Sequence, residues 1–303
     1  VTVRHRRAVR PHQVAALAAI AFLLLGCTSS AATGKPADTP SVSGQSNSPA
    51  PSASPTLTSP FASVRGYLAH RSGQVTAALY DARTRQTWLL DPGVIQDTAS
   101  IVKVEIMGTA LAEAAAAGRA LSAAEAGLMT AMIENSDNKS ATTLLAQVGG
   151  PSAIGRFDRS VGMTHTTPST LAFIPGTTLP GWGLTTTTAL DEVTIVSRFA
   201  YPNPFLSDAA RAYGLRLMEN VEADQNWGVT GGVPAGTTVA LKNGWVPIPP
   251  SNYWQVNSIG WISGHGRNYV LAVLTDGNPS QPYGIATIEA IARAVYAELG
   301  RGH

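Results

Sequence analysis

Ser100 and Lys103 stand three residues apart in the run Ser100-Ile101-Val102-Lys103. On a helix that spacing puts both side chains on one face, about one turn apart, so the amine can reach the hydroxyl. A lysine partly removed from water has a lowered pKa and accepts a serine proton, while a helix N-terminus favours the negative charge that develops. The pair therefore predicts an activated serine nucleophile with its own base. Two more polar tripeptides interrupt apolar segments: Ser136-Asp137-Asn138, and Lys242-Asn243-Gly244 followed by Trp245. In the first, Ser136 can relay a proton and Asn138 can hold a substrate amide; the same residues are also good helix N-caps, and both roles can hold at once. In the second, Lys242 is expected to end an apolar strand over residues 238–241 and lead into a turn. Singly each motif is weak, since average composition yields roughly one S-x-x-K per 300 residues, and Ser136-Asp-Asn-Lys139 fits the same pattern.

The elements that must position these residues follow from hydrophobic periodicity. Phe61, Val64 and Leu68 mark an amphipathic helix, and residues 75–80 and 87–90 flank a polar turn as a β-hairpin. The Ala-rich middle predicts helices over 100–118, 122–135 and 137–148, with Ser122 and Glu125 as a capping box. A further helix begins near Thr188 and runs through Val193, Ile195 and Phe199. Strand patterns return at 238–241, 255–262 and 269–274, before a closing helix over 283–299. Strands at both ends around central helices predict an α/β fold of the α+β type: one sheet, assembled from distant parts and flanked by helices, with an all-helical lobe inserted. The expected division is an α/β lobe of 61–99 and 238–303 and a helical lobe of 100–237.

In this order and on these elements the three motifs resemble the S-x-x-K, S-D-N and K-T-G set of class A β-lactamases and penicillin-binding proteins. The phrase from Met132 to Leu145, Val148-Gly-Gly-Pro-Ser152, Val233-Pro-Ala-Gly and the terminal strands and helix extend the resemblance over roughly residues 61–299. It implies an antiparallel sheet and acyl-serine chemistry. Ser100 is then the nucleophile, Lys103 its base, Ser136 the proton relay to the leaving group and Lys242 an electrostatic anchor. Asn138, Asn243, Gly244 and Trp245 line the substrate, and the backbone N–H groups of Ser100 and Trp245 form the oxyanion hole. The resemblance also implies a small substrate such as a β-lactam or a cell-wall peptide or ester.

Departures from the family pattern shape the expectation. Class A enzymes carry a glutamate beyond the S-D-N helix that activates water to clear the acyl-enzyme, whereas residues 159–190 contain no Asp or Glu. His165 is the nearest ionisable residue there and reads as an exposed loop histidine. The Ser100-to-Ser136 connection is shorter than is usual, so one rim of the cleft is expected to be missing. Asn243 replaces the family's hydroxyl residue, and Trp245 adds a large ring. Two readings follow: an acyl-serine enzyme with weak deacylation, or a catalytically inactive lipoprotein that keeps the fold as a binding or scaffold module.

Residues 1–27 read as an export signal, with a basic start, an apolar run over 14–25 and Leu24-Leu25-Gly26-Cys27. That run is well short of the roughly 20 residues a spanning helix needs. Leu-Leu-Gly before the single cysteine resembles the lipobox of bacterial lipoproteins, which implies lipidation of Cys27 and anchoring at the outer face of the cytoplasmic membrane. Residues 28–60 are nearly all Ser, Thr, Pro, Ala or Gly and read as a disordered tether. Of 21 basic and 19 acidic residues, four arginines precede Cys27, which leaves 17 against 19 beyond it. Such a balance carries no nucleic-acid footprint. The six histidines show no metal-ligand spacing, so neither cofactor nor metal is expected, and the domain is expected to act as a monomer.

Overall fold

The computed structural model describes residues 59–301; the predicted leader, Cys27 and the tether up to residue 58 lie outside them. The amphipathic stretch at its start is helical but short, a 3-10 turn at Ala62–Val64 followed by one turn, α1 (Arg65–Leu68). The hairpin follows as β1 (Gln74–Asp81) and β2 (Gln86–Leu90). The chain then makes a two-residue strand, β3 (Gln96–Asp97), and a 3-10 turn at Ala99–Val102 before α2 (Lys103–Ala116). The helix expected over 100–118 thus begins as 3-10, and Ser100 lies on that tighter turn.

The helical lobe continues with α3 (Ala123–Glu134), closed at its N-terminus by the reciprocal Ser122–Glu125 capping box. Next is α4 (Asn138–Gln147), which Asp137 caps by accepting the Ser140 N–H. Two helices stand where none was expected. One is α5 (Pro151–Val161), which starts on a proline and stops at left-handed Gly162, and the other is α7 (Asp208–Glu219). Between them a long loop ends in β4 (Thr186–Thr187) and α6 (Ala189–Ala200), whose N-cap is Thr188. Three long strands and a helix close the chain: β5 (Thr238–Ile248), β6 (Tyr253–Gly264), β7 (Arg267–Asn278) and α8 (Gln281–Arg301). The five long strands form one antiparallel sheet in the order β2-β1-β7-β6-β5.

The run Tyr269 to Leu274 of β7 is fully buried on both sides. Successive strand side chains point to opposite faces. Val270, Ala272 and Leu274 therefore enter one core with Ile106, Met107, Met132 and Val196 of the helical lobe. Tyr269, Leu271 and Val273 enter the other with Ile288, Ile291 and Val295 of α8. Each such aliphatic side chain contributes ~1.5–3 kcal/mol relative to exposure, so the central strand is the common wall of both cores. One expectation is corrected here. Lys242 does not end its strand: β5 runs on to Ile248, and Lys242, Asn243 and Gly244 are buried in its middle. The lobe packed against this edge strand keeps a polar triplet extended that would otherwise favour a turn.

Beneath the lobe three carboxyl groups from three helices meet without cationic partners: Glu105 of α2, Asp158 of α5 and Glu192 of α6. All three are fully buried, and none of their six carboxyl oxygens has a hydrogen-bond partner. Burial, then the charges of Glu192 and Asp158, pushes Glu105 well above the carboxylate range. Burial and Asp191 raise Asp158 to about 7 against the opposing pull of Arg159. Glu192 rises to about 8, chiefly by burial, with Thr187 and Glu105 opposing and the charges of Asp158 and Asp191 adding to the rise. These groups hold protons in the fold that the unfolded chain, with carboxyls near 4, releases. Their contribution to stability is therefore complete below about pH 4 and is lost as pH rises through about 7 to 8. Lys103 and Lys242, described below, titrate in the opposite sense, so the cluster is read by difference. In urea unfolding, Glu192→Gln should gain on the parent by more than ~1 kcal/mol between pH 5 and pH 8.5; a constant difference would show that the cluster does not hold these protons.

Candidate active site

The site lies where the N-terminus of α2, the α3–α4 junction and edge strand β5 converge. Ala99, just before Ser100, and Ser136, at the junction, both occupy the left-handed backbone region, with φ of 49° and 55°. Side chains other than glycine rarely adopt it, at a cost of order 1–3 kcal/mol each. The surroundings hold both in place. Asn257 of β6 donates from its amide to the backbone oxygens of Asp97 and Thr98, 2.9 and 3.0 Å away. Gly244 brings β5 so close that a Cβ there would lie 2.7 Å from the Ser100 nitrogen and 2.8 Å from the Thr98 oxygen. Only glycine allows that approach, which sets the strand backbone beside the backbone N–H of Ser100.

Two lysines meet at one hydroxyl. Lys103 Nζ donates to Ser136 O at 2.6 Å, Ser136 Oγ at 3.0 Å and Asn138 Oδ1 at 2.9 Å. Lys242 Nζ donates to the same Ser136 Oγ at 3.0 Å and to Asn243 O at 2.8 Å. Both lysines are fully buried. Burial lowers Lys103 to about 7, against the partial support of Asp137. Lys242 is driven well below its ordinary value by burial and then by the charge of Lys103. Two ammonium groups sharing one acceptor in a dry site repel, so the pair sheds a proton easily. A neutral lysine keeps two N–H donors and gains a lone pair. Ser136 O and Asn138 Oδ1 can take the two donors of a neutral Lys103, leaving one lone pair able to accept a proton from a neighbouring hydroxyl. Ser100 is half-buried and its Oγ receives none of the three Lys103 hydrogen bonds. The two residues are still one 3-10 turn apart, the spacing at which i and i+3 side chains eclipse.

Not every predicted substrate contact faces the cleft. Asn243 sends its amide the other way, to the backbone oxygens of Gln225 at 2.7 Å and Trp227 at 3.1 Å. It thereby pins the 225–228 segment, whose Trp227 packs against Trp245 with ring centres 5.8 Å apart. His165 is exposed beside Asp191 and lines a cavity other than that of Ser100. The residue that does reach the site from the glutamate-free loop is Trp182. Its ring centre lies 5.0 Å from Lys103 Nζ, and its indole N–H donates to Thr142 Oγ1 at 3.1 Å. A Gly-Trp-Gly run in a loop of small residues was the only signal in the sequence for it. Ser100, Asn138, Trp182 and Trp245 line one small pocket of about 40 Å³, with Ile174, Leu179 and Val246 among the rest.

The model of the β-lactamase enzyme family matches residues 116–299. The chain belongs to this family. The matched segment contains Ser136–Asn138 and Lys242–Gly244 by position, while Ser100 and Lys103 precede it and are brought in by α2. Beta-lactamase Toho-2 of Escherichia coli is 28% identical over 166 residues, 52% of this chain and 51% of that protein, so the match spans about half the relative's length. The extended-spectrum β-lactamase TLA-1 superposes with a TM-score of 0.70 at 19% identity, over 79% of this chain and 98% of that one. A class A β-lactamase from Mycobacterium abscessus does so with a TM-score of 0.66 at 23% identity, over 78% and 98%. These solved structures share the fold, an antiparallel sheet flanked by helices with an inserted helical lobe.

Within this family fold, the role of Asn243 is testable by stability. Removing its buried amide leaves two backbone carbonyls unpaired at ~1–3 kcal/mol each. Asn243→Ala should therefore lower the urea unfolding free energy by about 2–4 kcal/mol, whereas a side chain that served substrate alone would leave it unchanged.

Proposed function

We propose that this member of the β-lactamase family is an exported, lipid-anchored serine hydrolase that acylates Ser100 readily and releases the acyl group slowly. The observation that carries the reading is the convergence of Lys103 and Lys242 on Ser136 Oγ beside Ser100. Neutral Lys103 takes the Ser100 proton as Oγ attacks the substrate carbonyl carbon. The backbone N–H groups of Ser100 and Trp245 receive the oxyanion, each such donor being worth about 3 kcal/mol in other enzymes. When the intermediate collapses, Ser136 gives its proton to the leaving nitrogen or oxygen and is resupplied by the lysines on either side. Asn138, at the pocket wall, orients the substrate amide.

Release needs a base that holds water over the acyl carbonyl. The loop over 159–190 offers no carboxylate, and Trp182 lies against Lys103. General-base assistance is worth about two to four powers of ten, so its loss leaves a long-lived acyl-enzyme. The same Trp182, with Asn243 turned away from the cleft, also favours a second reading, in which the fold persists as a quiet binding module at the envelope.

Intact-mass measurement separates the two. A fluorophosphonate and a penicillin should each add once to Ser100, and the labelling rate should rise as pH passes through about 7, where Lys103 loses its proton. Lys103→Met should label far more slowly with its circular dichroism unchanged. A chromogenic cephalosporin should give at most a burst of about one equivalent and then a weak steady rate. No adduct on a folded parent would leave the quiet module, and fast turnover abolished by Ser100→Ala would show that another group replaces the glutamate.

The anchor rests on the lipobox-like residues before Cys27. In bacterial expression Cys27→Ala should move the domain from the membrane fraction to the soluble or secreted one. Equal membrane retention of parent and variant would overturn lipidation at Cys27.

A further inference from the structure

Asn257 stands in β6, fully buried, with both polar atoms of its side chain in use. Its Nδ2 donates to the backbone oxygens of Asp97 at 2.9 Å and Thr98 at 3.0 Å, while Oδ1 accepts the Thr275 N–H of β7 at 3.0 Å. In the antiparallel register Asn257 lies opposite Gly244 of β5. Its main chain thus faces the residue that precedes Trp245, and its side chain holds the segment that leads into Ser100. One residue therefore ties together the two stretches of backbone whose N–H groups would receive an oxyanion.

The segment before Ser100 does not rest in this shape unaided. Ala99, between Thr98 and Ser100, has a φ of 49°, and the penalty for a residue with a Cβ in that region is comparable to the combined worth of two amide hydrogen bonds. Without those bonds Ala99 is free to relax toward the right-handed region, and the peptide that carries the Ser100 N–H turns with it. The gap between the strands is sensitive to such a turn, because a Cβ on Gly244 would lie only 2.7 Å from the Ser100 nitrogen. Oxyanion donors act only within hydrogen-bond reach of the atom that gains charge. A misplacement of about 1 Å, caused by a change away from the chemistry, can cost about a hundredfold in rate.

We propose that Asn257 is a positioning residue for acylation: from the interior of the sheet it sets the separation of the Ser100 and Trp245 N–H groups without touching the substrate. The proposal rests on the acyl-serine reading of the site and adds to it the residue that shapes the oxyanion hole.

Labelling by a fluorophosphonate at rising concentration, followed by intact mass, separates the limiting rate from the half-saturating concentration. Asn257→Ala should lower the limiting rate at least tenfold and leave half-saturation within about twofold, since oxyanion donors act mainly in the transition state. Asn278→Ala is the comparison. The Asn278 amide also makes two buried bonds in this sheet, to Trp254 O at 2.9 Å and Thr275 Oγ1 at 2.8 Å, but beside Gly284 of α8; its loss should cost stability and leave the limiting rate within about twofold. Ala99→Gly, for which the left-handed shape carries no steric penalty, should raise the rate of Asn257→Ala at least threefold, a recovery that a merely loosened sheet would not give. Where the alanine variant does not fold, Asn257→Asp, of the same shape and with at most one donor, should lower the limiting rate at least threefold. An unchanged limiting rate, an equal loss in Asn278→Ala, or no recovery with Ala99→Gly would overturn the positioning role alone. A folded parent that the fluorophosphonate does not label would overturn the acyl-serine reading, and this proposal with it.

Discussion

The structure around Ser100 depends on the cost of burying two lysines. An ammonium removed from water must find acceptors or give up its proton, and Lys103 and Lys242 do something of both around a single hydroxyl, Ser136 Oγ. The constraint reaches outward. Ser136 must turn its oxygens toward both amines, which places it in the left-handed region, and Asp137 follows as the cap of α4. Lys242 must approach from the opposite side, so it sits mid-strand on β5, the sheet edge that faces the helical lobe. Gly244 is two residues further on, where close contact with the Ser100 backbone leaves no room for a Cβ. The strained Ala99 and Ser136 persist because Asn257, Gly244 and the lysines over-determine their surroundings.

The loop of residues 162–188 sets the electrostatic balance of Lys103. It is clamped by the β3–β4 pairing, by Thr167 against Thr186 and by Asp191, which accepts the His165 N–H and the Thr166 hydroxyl. What it presents to Lys103 is an aromatic face. A cation–π contact at 5.0 Å stabilises the charged amine far less than a contacting carboxylate would. With Asp137 as the sole charge raising it, Lys103 stays at about 7. An aromatic face rather than a carboxylate beside Lys103 thus leaves its charge with little support.

Much of this was legible in the sequence where the signal is local. The Ser122–Glu125 capping box, the helix start near Thr188, the β1–β2 hairpin and the closing helix are set by residues within a few positions of one another, and each stands where the pattern predicts. Helix α5 does carry an apolar stripe, Ala153, Ile154, Phe157 and Val161 on one face, so periodicity could have placed it, whereas α7 has small and charged residues, Arg211 and Arg216 among them, over much of its length. The extent of β5 was misread because Lys-Asn-Gly is turn chemistry by composition and strand by burial. Trp182, Asn257 and the carboxyl trio at 105, 158 and 192 act across distances in sequence that no local pattern spans. Of the predicted site, Lys103, Lys242 and Ser136 converge, Lys103 making its hydrogen bonds to Ser136 and Asn138 rather than to the Ser100 hydroxyl that its spacing implied, whereas Asn243 serves the fold.

That change at Asn243 ties the remaining features together. With its amide on the carbonyls of Gln225 and Trp227, the residue fixes the segment that carries Trp227. Trp227 in turn supports Trp245 on one side of the pocket, as Thr142 supports Trp182 on the other. An aromatic pair of this kind adds about 0.5–1.5 kcal/mol beyond burial, which helps hold Trp245 in place, while the indole hydrogen bond to Thr142 orients Trp182. The Asn243 side chain thus serves the fold and, through Trp227, the aromatic side of the pocket. The lack of a carboxylate in residues 159–190 and the turn of Asn243 toward the fold act in the same direction, taking charge and hydrogen-bonding capacity out of the cleft while the paired lysines stay on Ser136 beside it.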